Sequence, residues 1–165
     1  MVPDFIYTSP LLRAKQTATA IARACSHKHL FECEGLNNIN FSFWEGRLKK
    51  EIALEYPSDW ETWLTYPEKL RLSGAETLQE VQGRALRALK ELVEKHYGDT
   101  IVVVSHRTVL KPLIAGCLNI PEPYFWKTHM DTASYSILTY DYQRGYGLFS
   151  LNQTAHLKKV STEWI

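Results

Sequence analysis

Four side chains in two short segments are of types that hold an oxyanion. They are Ser9 and Arg13 in Thr8-Ser9-Pro10-Leu11-Leu12-Arg13, and His106 and Arg107 in Ser105-His106-Arg107. The planar guanidinium of arginine binds two oxygens of one phosphate, and a histidine near neutrality donates a hydrogen bond or moves a proton. Each segment follows an apolar stretch with strand character, and ligands of open α/β sheets sit beyond the carboxyl ends of strands. Arg13 is expected about one turn into a helix, where free N–H groups and the partial positive charge of the helix terminus favour an anion. Taken alone, Arg13 equally fits an exposed surface cation, and His106 a hydrogen-bonded histidine closing a strand.

Other machinery is missing from the sequence. There is no Gly-rich phosphate loop ending in Lys-Ser/Thr, no dinucleotide fingerprint, no His-Glu-x-x-His and no Gly-x-Ser-x-Gly elbow. Cys25, His27, His29 and Cys33 are zinc-ligand types lying close together, but Cys25 ends a helical stripe and the alternating histidines suit a short extended segment. Core thiols and solvated histidines are therefore expected there, and no metal.

The elements that must position these residues follow from periodicity. Phe5-Ile6-Tyr7 reads as a strand, Ser9 as the cap of a helix with Pro10 at its first position, and Leu11, Ala14, Ala18, Ile21, Ala22 and Cys25 as one helical stripe. Leu36 to Gly46 is an ordered loop, followed by a helix near Lys49 to Tyr56 that Pro57 ends. Trp60, Trp63, Tyr66 and Pro67 carry enough aromatic mass to pack as a helical cap, and with Trp126 and Lys127 they either line a mouth or only pack that cap. Thr77 and Glu80 form a capping box opening a long helix, with Leu78, Val81, Ala85, Leu89, Leu92 and Val93 inward and Gly98 as its stop. Thr100 to Ser105 is a β-branched run of the kind buried on both faces of a parallel sheet. The helix after His106 tolerates Pro112 only in its opening turn. Ser134 to Tyr140 and Tyr146 to Leu151 are strands around the turn Gln143-Arg144-Gly145. The order is that of an α/β fold.

Composition removes several classes of function. The 165 residues carry 19 Lys plus Arg against 18 Asp plus Glu, so no broad cationic field exists for a nucleic acid or an anionic membrane, and any anion site is local. Hydrophobic residues make up 45% without a run long enough to span a bilayer, which describes one globular domain over 1–165 that buries about 70% of its unfolded surface. Three scattered cysteines and a start, Met1-Val2-Pro3-Asp4, with no signal region lead to the expectation of free thiols and a cytoplasmic location.

Tyr7 to Ala18, reading Tyr-Thr-Ser-Pro-Leu-Leu-Arg-Ala-Lys-Gln-Thr-Ala, resembles the histidine phosphatase family, also called phosphoglycerate mutase-like. The resemblance continues in order through Asn40 to Gly46, Gly74-Ala75-Glu76-Thr77, Val103-Val104-Ser105-His106 and Asn152 to Leu157. It implies a three-layer sandwich with a mostly parallel sheet flanked by helices. It also implies metal-free, cofactor-free phosphoryl transfer from a small phosphorylated substrate through a phosphohistidine. Arg13 matches the family's second arginine and His106 its second histidine, which hold the transferring oxygens with Ser9 and Arg107 beside them. Groups aimed at those oxygens supply most of the catalysis in phosphoryl transfer.

Three departures accompany the resemblance. The family's nucleophile lies in an Arg-His-Gly triplet after a first strand, and no such triplet occurs in the sequence, where only 12 residues precede Arg13. The first strand and nucleophile are therefore expected to be missing through truncation. Asn38 stands where the family places the proton-donating Glu, and an amide delivers no proton; Glu34 and Glu45 are the nearby carboxylates. Arg107 replaces a common Gly. Two functions follow as expectations: a phosphomonoesterase or mutase lacking its nucleophile segment, or an inactive paralogue that binds phosphate or a phosphorylated partner. The missing strand would lie beside the one ending in His106, so an apolar edge is expected to be exposed and to invite oligomerisation.

Overall fold

Phe5–Thr8 forms β1, one residue longer than the apolar run itself. In this computed structural model, which describes residues 2–26 and 29–162, β1 is the centre of a parallel sheet in the order β2-β1-β3. β2 is Phe31–Glu32 and β3 is Ile101–Val104. Thr8 pairs with Glu32 on one side and with Val104 on the other. β2 left no trace in the sequence pattern because two exposed residues show no alternation.

Helices cover both faces of this sheet. Helix α1, Leu12–Ala24, buries Ala14, Ala18 and Ala22 against Ile6 and Val104. The opposite face carries α4, Leu78–Lys95, and α5, Arg107–Cys117. The expected capping box opens α4: Thr77 Oγ1 accepts from Glu80 N (3.1 Å) and Glu80 Oε2 accepts from Thr77 N (2.7 Å). Such a cap contributes about 1 kcal/mol. Leu78, Val81, Ala85, Leu89 and Leu92 are buried as their spacing predicts. The helix stops at Lys95, with His96 as its cap, three residues before Gly98.

Between α1 and α4 lie the loop 34–46 and a cap made of α2, Lys49–Glu55, and α3, Pro57–Thr65. Loop and α4 approach closely at Gly35. A Cβ there would sit 2.5 Å from Ala88 Cβ and 3.2 Å from the Arg84 carbonyl oxygen. Gly35→Ala is expected to cost about 1–3 kcal/mol, the cost of overpacking a close-packed contact; urea unfolding midpoints equal to wild type would reject this.

Four sequence expectations need correction. Helix α1 begins at Leu12 with Leu11 as its cap, so Pro10 lies outside it and Ser9 does not cap it, although Ser9 Oγ accepts a weak bond from Leu11 N (3.3 Å). Arg13 is thus the second helical residue rather than one turn in. Pro112 lies in the second turn of α5, past the opening turn. On its α4 side, Gln82 donates to the Pro112 carbonyl (2.9 Å), and Gly116 lets Gln82 and Leu86 approach. β3 is not buried on both sides, since only Val104 is buried while Ile101, Val102 and Val103 are half-buried.

The reason for the last correction is topological. β4, Tyr135–Asp141, and β5, Gly145–Gln153, form their own antiparallel pair, turned at Gly145 with φ +75°. Their Leu138 and Tyr146 pack on the same α4–α5 cluster as Ile101 and Val103 of β3. Among the described residues no strand hydrogen-bonds to the free side of β3 or of β4, so the sheet is divided into two. The α/β class and the flanking helices agree with expectation. No helix among the described residues is long and apolar enough to cross a membrane.

Candidate active site

Two parallel strands in register end side by side, so residues far apart in sequence meet. The Thr8–Val104 pairing and the bond from Ser9 N to the Val104 carbonyl (2.9 Å) set Ser9 next to the segment Ser105-His106. Ser9 Oγ lies 2.8 Å from His106 Nε2, across 97 positions of sequence. His106 is the cap residue of α5, and Ser9 directly precedes the entry to α1. Both helix N-termini therefore converge on one spot, with no acidic residue in the first turn of either. Each terminus presents backbone N–H groups and partial positive charge, which attract an anion.

Charge around His106 points the same way. Burial, then the guanidiniums of Arg13 and Arg84, push its imidazole from 6.5 down to about 4. This corrects the expectation of a histidine titrating near neutrality: desolvation and two cations disfavour a third positive charge. His106 is neutral at pH 7, able to exchange hydrogen bonds with Ser9 and an oxyanion but a poor store of a proton. Between about pH 4 and 6.5 the folded chain binds fewer protons at this group than the unfolded chain, so stability rises with pH across that window. His106→Gln is expected to flatten that rise, measured by urea unfolding across the same window. An unchanged slope would show that the histidine titrates normally.

The loop carrying Asn38 is fastened to this site by long-range bonds. Ser105 Oγ donates to the Leu36 carbonyl (2.7 Å), and Thr108 Oγ1, in the first turn of α5, donates to Asn38 Oδ1 (2.7 Å). From α4, Arg84 donates to the carbonyls of Gly35 (2.9 Å) and Asn38 (3.0 Å) and forms a two-pronged ion pair with Glu76 (2.7 and 3.0 Å). Glu76 also accepts from Asn40 N (3.0 Å). Sequence reasoning found Glu76 only as part of a motif and missed Arg84, Ser105 and Thr108 as fasteners. The pattern of α4 marks its inward apolar face, and an arginine on its flank carries no signal of a partner 46 or 49 positions away.

The structure thus brings Ser9, His106 and the charge of Arg13 together, and Thr108 ties Asn38 to the first turn of α5. Arg107 is the exposed first residue of α5. Glu45 is occupied by the Phe41 N–H (3.1 Å), which leaves no sign that it replaces a proton donor at Asn38. Trp63 packs against Phe41, Phe125 and Trp126 at 5.2, 5.2 and 5.8 Å between ring centroids, and its carbonyl accepts the Trp126 indole N–H. Those tryptophans build the cap, whereas Lys127 is exposed. Cys25, Cys33 and Cys117 are thiols outside any disulfide. Among the described residues no three metal-ligand side chains are grouped, and His27 lies outside them.

Comparison with known proteins gives this geometry a context. The family model of the histidine phosphatase superfamily, branch 1, matches residues 1–153. Phosphoserine phosphatase 1 of Hydrogenobacter thermophilus is 33% identical over 160 residues, covering 97% of this chain and 75% of that protein. The solved structure of Bacillus stearothermophilus YhfR superposes with a TM-score of 0.86 at 28% identity, over 92% of this chain and 75% of the other. Entamoeba histolytica phosphoserine phosphatase, solved with phosphoserine, gives 0.80 at 27% identity, over 94% and 76%. A match of the family model over nearly the whole chain, together with the Ser9–His106 contact at two strand ends, leaves one assignment: the chain belongs to the histidine phosphatase superfamily.

Proposed function

We propose that the pocket at the ends of β1 and β3 binds the phosphoryl group of a small phosphorylated metabolite and serves metal-independent phosphomonoester hydrolysis or transfer through a phosphohistidine. The observation that carries this reading is the 2.8 Å contact of Ser9 with a neutral His106 beneath the Arg13 charge, at two converging helix N-termini. Arg13 and His106 hold the transferring oxygens, and Ser9 and Arg107 add donors. Positive and donor groups placed in advance lower the barrier by matching the charge on those oxygens. The relatives described as phosphoserine phosphatases make phosphoserine the first metabolite to test.

Attack on phosphorus needs a nucleophilic histidine, and the 165 residues contain no Arg-His-Gly triplet. The open side of β3 suits a further strand ending beside His106. A strand in that place would present the nucleophile to the pocket. Coding sequence upstream that encodes such a strand in frame supports the enzymatic reading, and a stop codon there counts against it.

A second reading is favoured by Asn38: a protein that binds phosphate or a phosphorylated partner without turnover. Hydrolysis of an aryl phosphate that disappears in Arg13→Ala would decide for the enzyme. Phosphate binding with no hydrolysis would decide for the binding protein.

A further inference from the structure

A second concave site lies at the opposite end of α5 from His106, about 16 Å away along the helix. There the last turn of α5, the side of α4 and the turn between β4 and β5 enclose a cavity of about 340 Å³, within the size range of small-molecule sites. Its walls continue the α4–α5 core: Leu86 and Tyr146 pack on that cluster, Cys117 is buried and Leu118 is half-buried. The Tyr146 ring is held by Tyr140, with centroids 4.8 Å apart.

The polar side chains at this cavity lack partners. Among the described residues, nothing bonds to or pairs with the Arg144 guanidinium, the Asn119 amide or the Tyr146 hydroxyl. The backbone beneath Arg144 is nevertheless fixed, since Asp141 Oδ1 accepts from Gln143 N (2.9 Å) and Arg144 N (3.0 Å). Burial, then Cys117, Tyr140 and Glu94, pushes the Tyr146 hydroxyl up to about 12, and burial pushes the Cys117 thiol up to about 12. Both are neutral at pH 7, so the only charged side chain in the lining is Arg144. The negative end of α5 is muted as well: the carbonyls of Ala115 and Gly116 accept from Ile120 N (2.8 Å) and Asn119 N (3.3 Å).

We infer that this cavity is a binding site for a small aromatic carboxylate, with the carboxylate on the Arg144 fork and the ring against Leu86, Leu118 and Tyr146. A guanidinium takes both oxygens of a carboxylate, and a flat ring gains offset or edge contact with tyrosine. An inorganic anion would leave the apolar walls in water, and a neutral hydrocarbon would leave the cation and the donors unmatched. No residue of the proposed phosphate pocket takes part, so the site is independent of that reading.

Titration of the full chain with naphthoate tests this, followed by calorimetry and by the leucine methyl resonances. One site with a Kd in the millimolar range or tighter is expected, with the Leu86 and Leu118 methyl signals shifting as it fills. Arg144→Ala removes a side chain with no partner in the protein, so it should fold as wild type and bind at least about tenfold more weakly, the loss of a hydrogen bond to a charged group. Leu118→Trp, which fills the cavity, should abolish binding, and inorganic phosphate should not compete. Binding that Arg144→Ala leaves intact, equal affinity for neutral naphthalenemethanol, or methyl shifts that miss Leu86 and Leu118 would overturn the site, as would no binding at millimolar naphthoate. Hexanoate binding as tightly as naphthoate would overturn the aromatic class.

Discussion

Arg13→Ala is expected to abolish the rise in melting temperature that inorganic phosphate gives the wild-type chain, while leaving the melting temperature without phosphate nearly unchanged. Arg13 is an exposed residue in the first turn of α1, so its truncation opens no cavity. Its guanidinium is near enough to His106 to oppose protonation of the ring, which puts its charge at the proposed phosphate site. Hydrogen bonds to charged groups contribute about 1.5–3 kcal/mol each, and losing one such contact weakens binding roughly 10- to 150-fold. Because a ligand stabilises the folded state in proportion to the logarithm of its concentration over Kd, a loss of that size removes the thermal shift at millimolar phosphate. Arg13→Lys is expected to recover only part of it, since a point charge lacks the fork that takes two oxygens. Equal phosphate shifts in wild type and Arg13→Ala would mean that phosphate binds elsewhere.

If the open edge of β3 pairs between molecules, Val103→Pro is expected to weaken that pairing. The carbonyls of Thr100 and Val104 accept from Phe5 and Ser9, which places the polar groups of the even-numbered residues of β3 on the β1 side. By alternation, the N–H and C=O of Ile101 and Val103 face the open side, where no described strand pairs. An unpaired edge with half-buried apolar side chains recruits a strand from another molecule. Proline at 103 removes one donor from that edge without breaking a bond to β1, a substitution that edge strands tolerate. Sedimentation velocity is expected to show dimers or larger species for the wild-type chain and monomer for Val103→Pro. A wild-type chain that sediments as monomer and melts in one sharp transition would refute the association.

Those two expectations draw on different depths of legibility. Arg13 and His106 stand out as candidate oxyanion ligands because their residue types, each after an apolar strand, are local signals. The capping box at Thr77 and Glu80 and the buried stripe of α4 were legible for the same reason: both depend on residues within a few turns of one another. The start of α1 lies later than the local signal suggests, since Ser9 has the type of a helix cap while its hydroxyl lies against His106, a partner 97 positions away. Pro112 departs from the local rule in the second turn of α5, where that helix packs closely on α4.

Residue chemistry and local periodicity, both written in the sequence, determined the α/β order, the long helix, the candidate oxyanion ligands and the amide at Asn38. Only the tertiary structure decided that Ser9 meets His106, that burial and two arginines hold that histidine neutral, and that Arg84, Ser105 and Thr108 fasten the Asn38 loop. It also decided that the described strands divide into two sheets whose side chains pack on one helical core. The physical reason is the same in each case. Strand pairing brings distant residues within hydrogen-bond range, and burial sets the local dielectric, and neither quantity exists until the chain has packed.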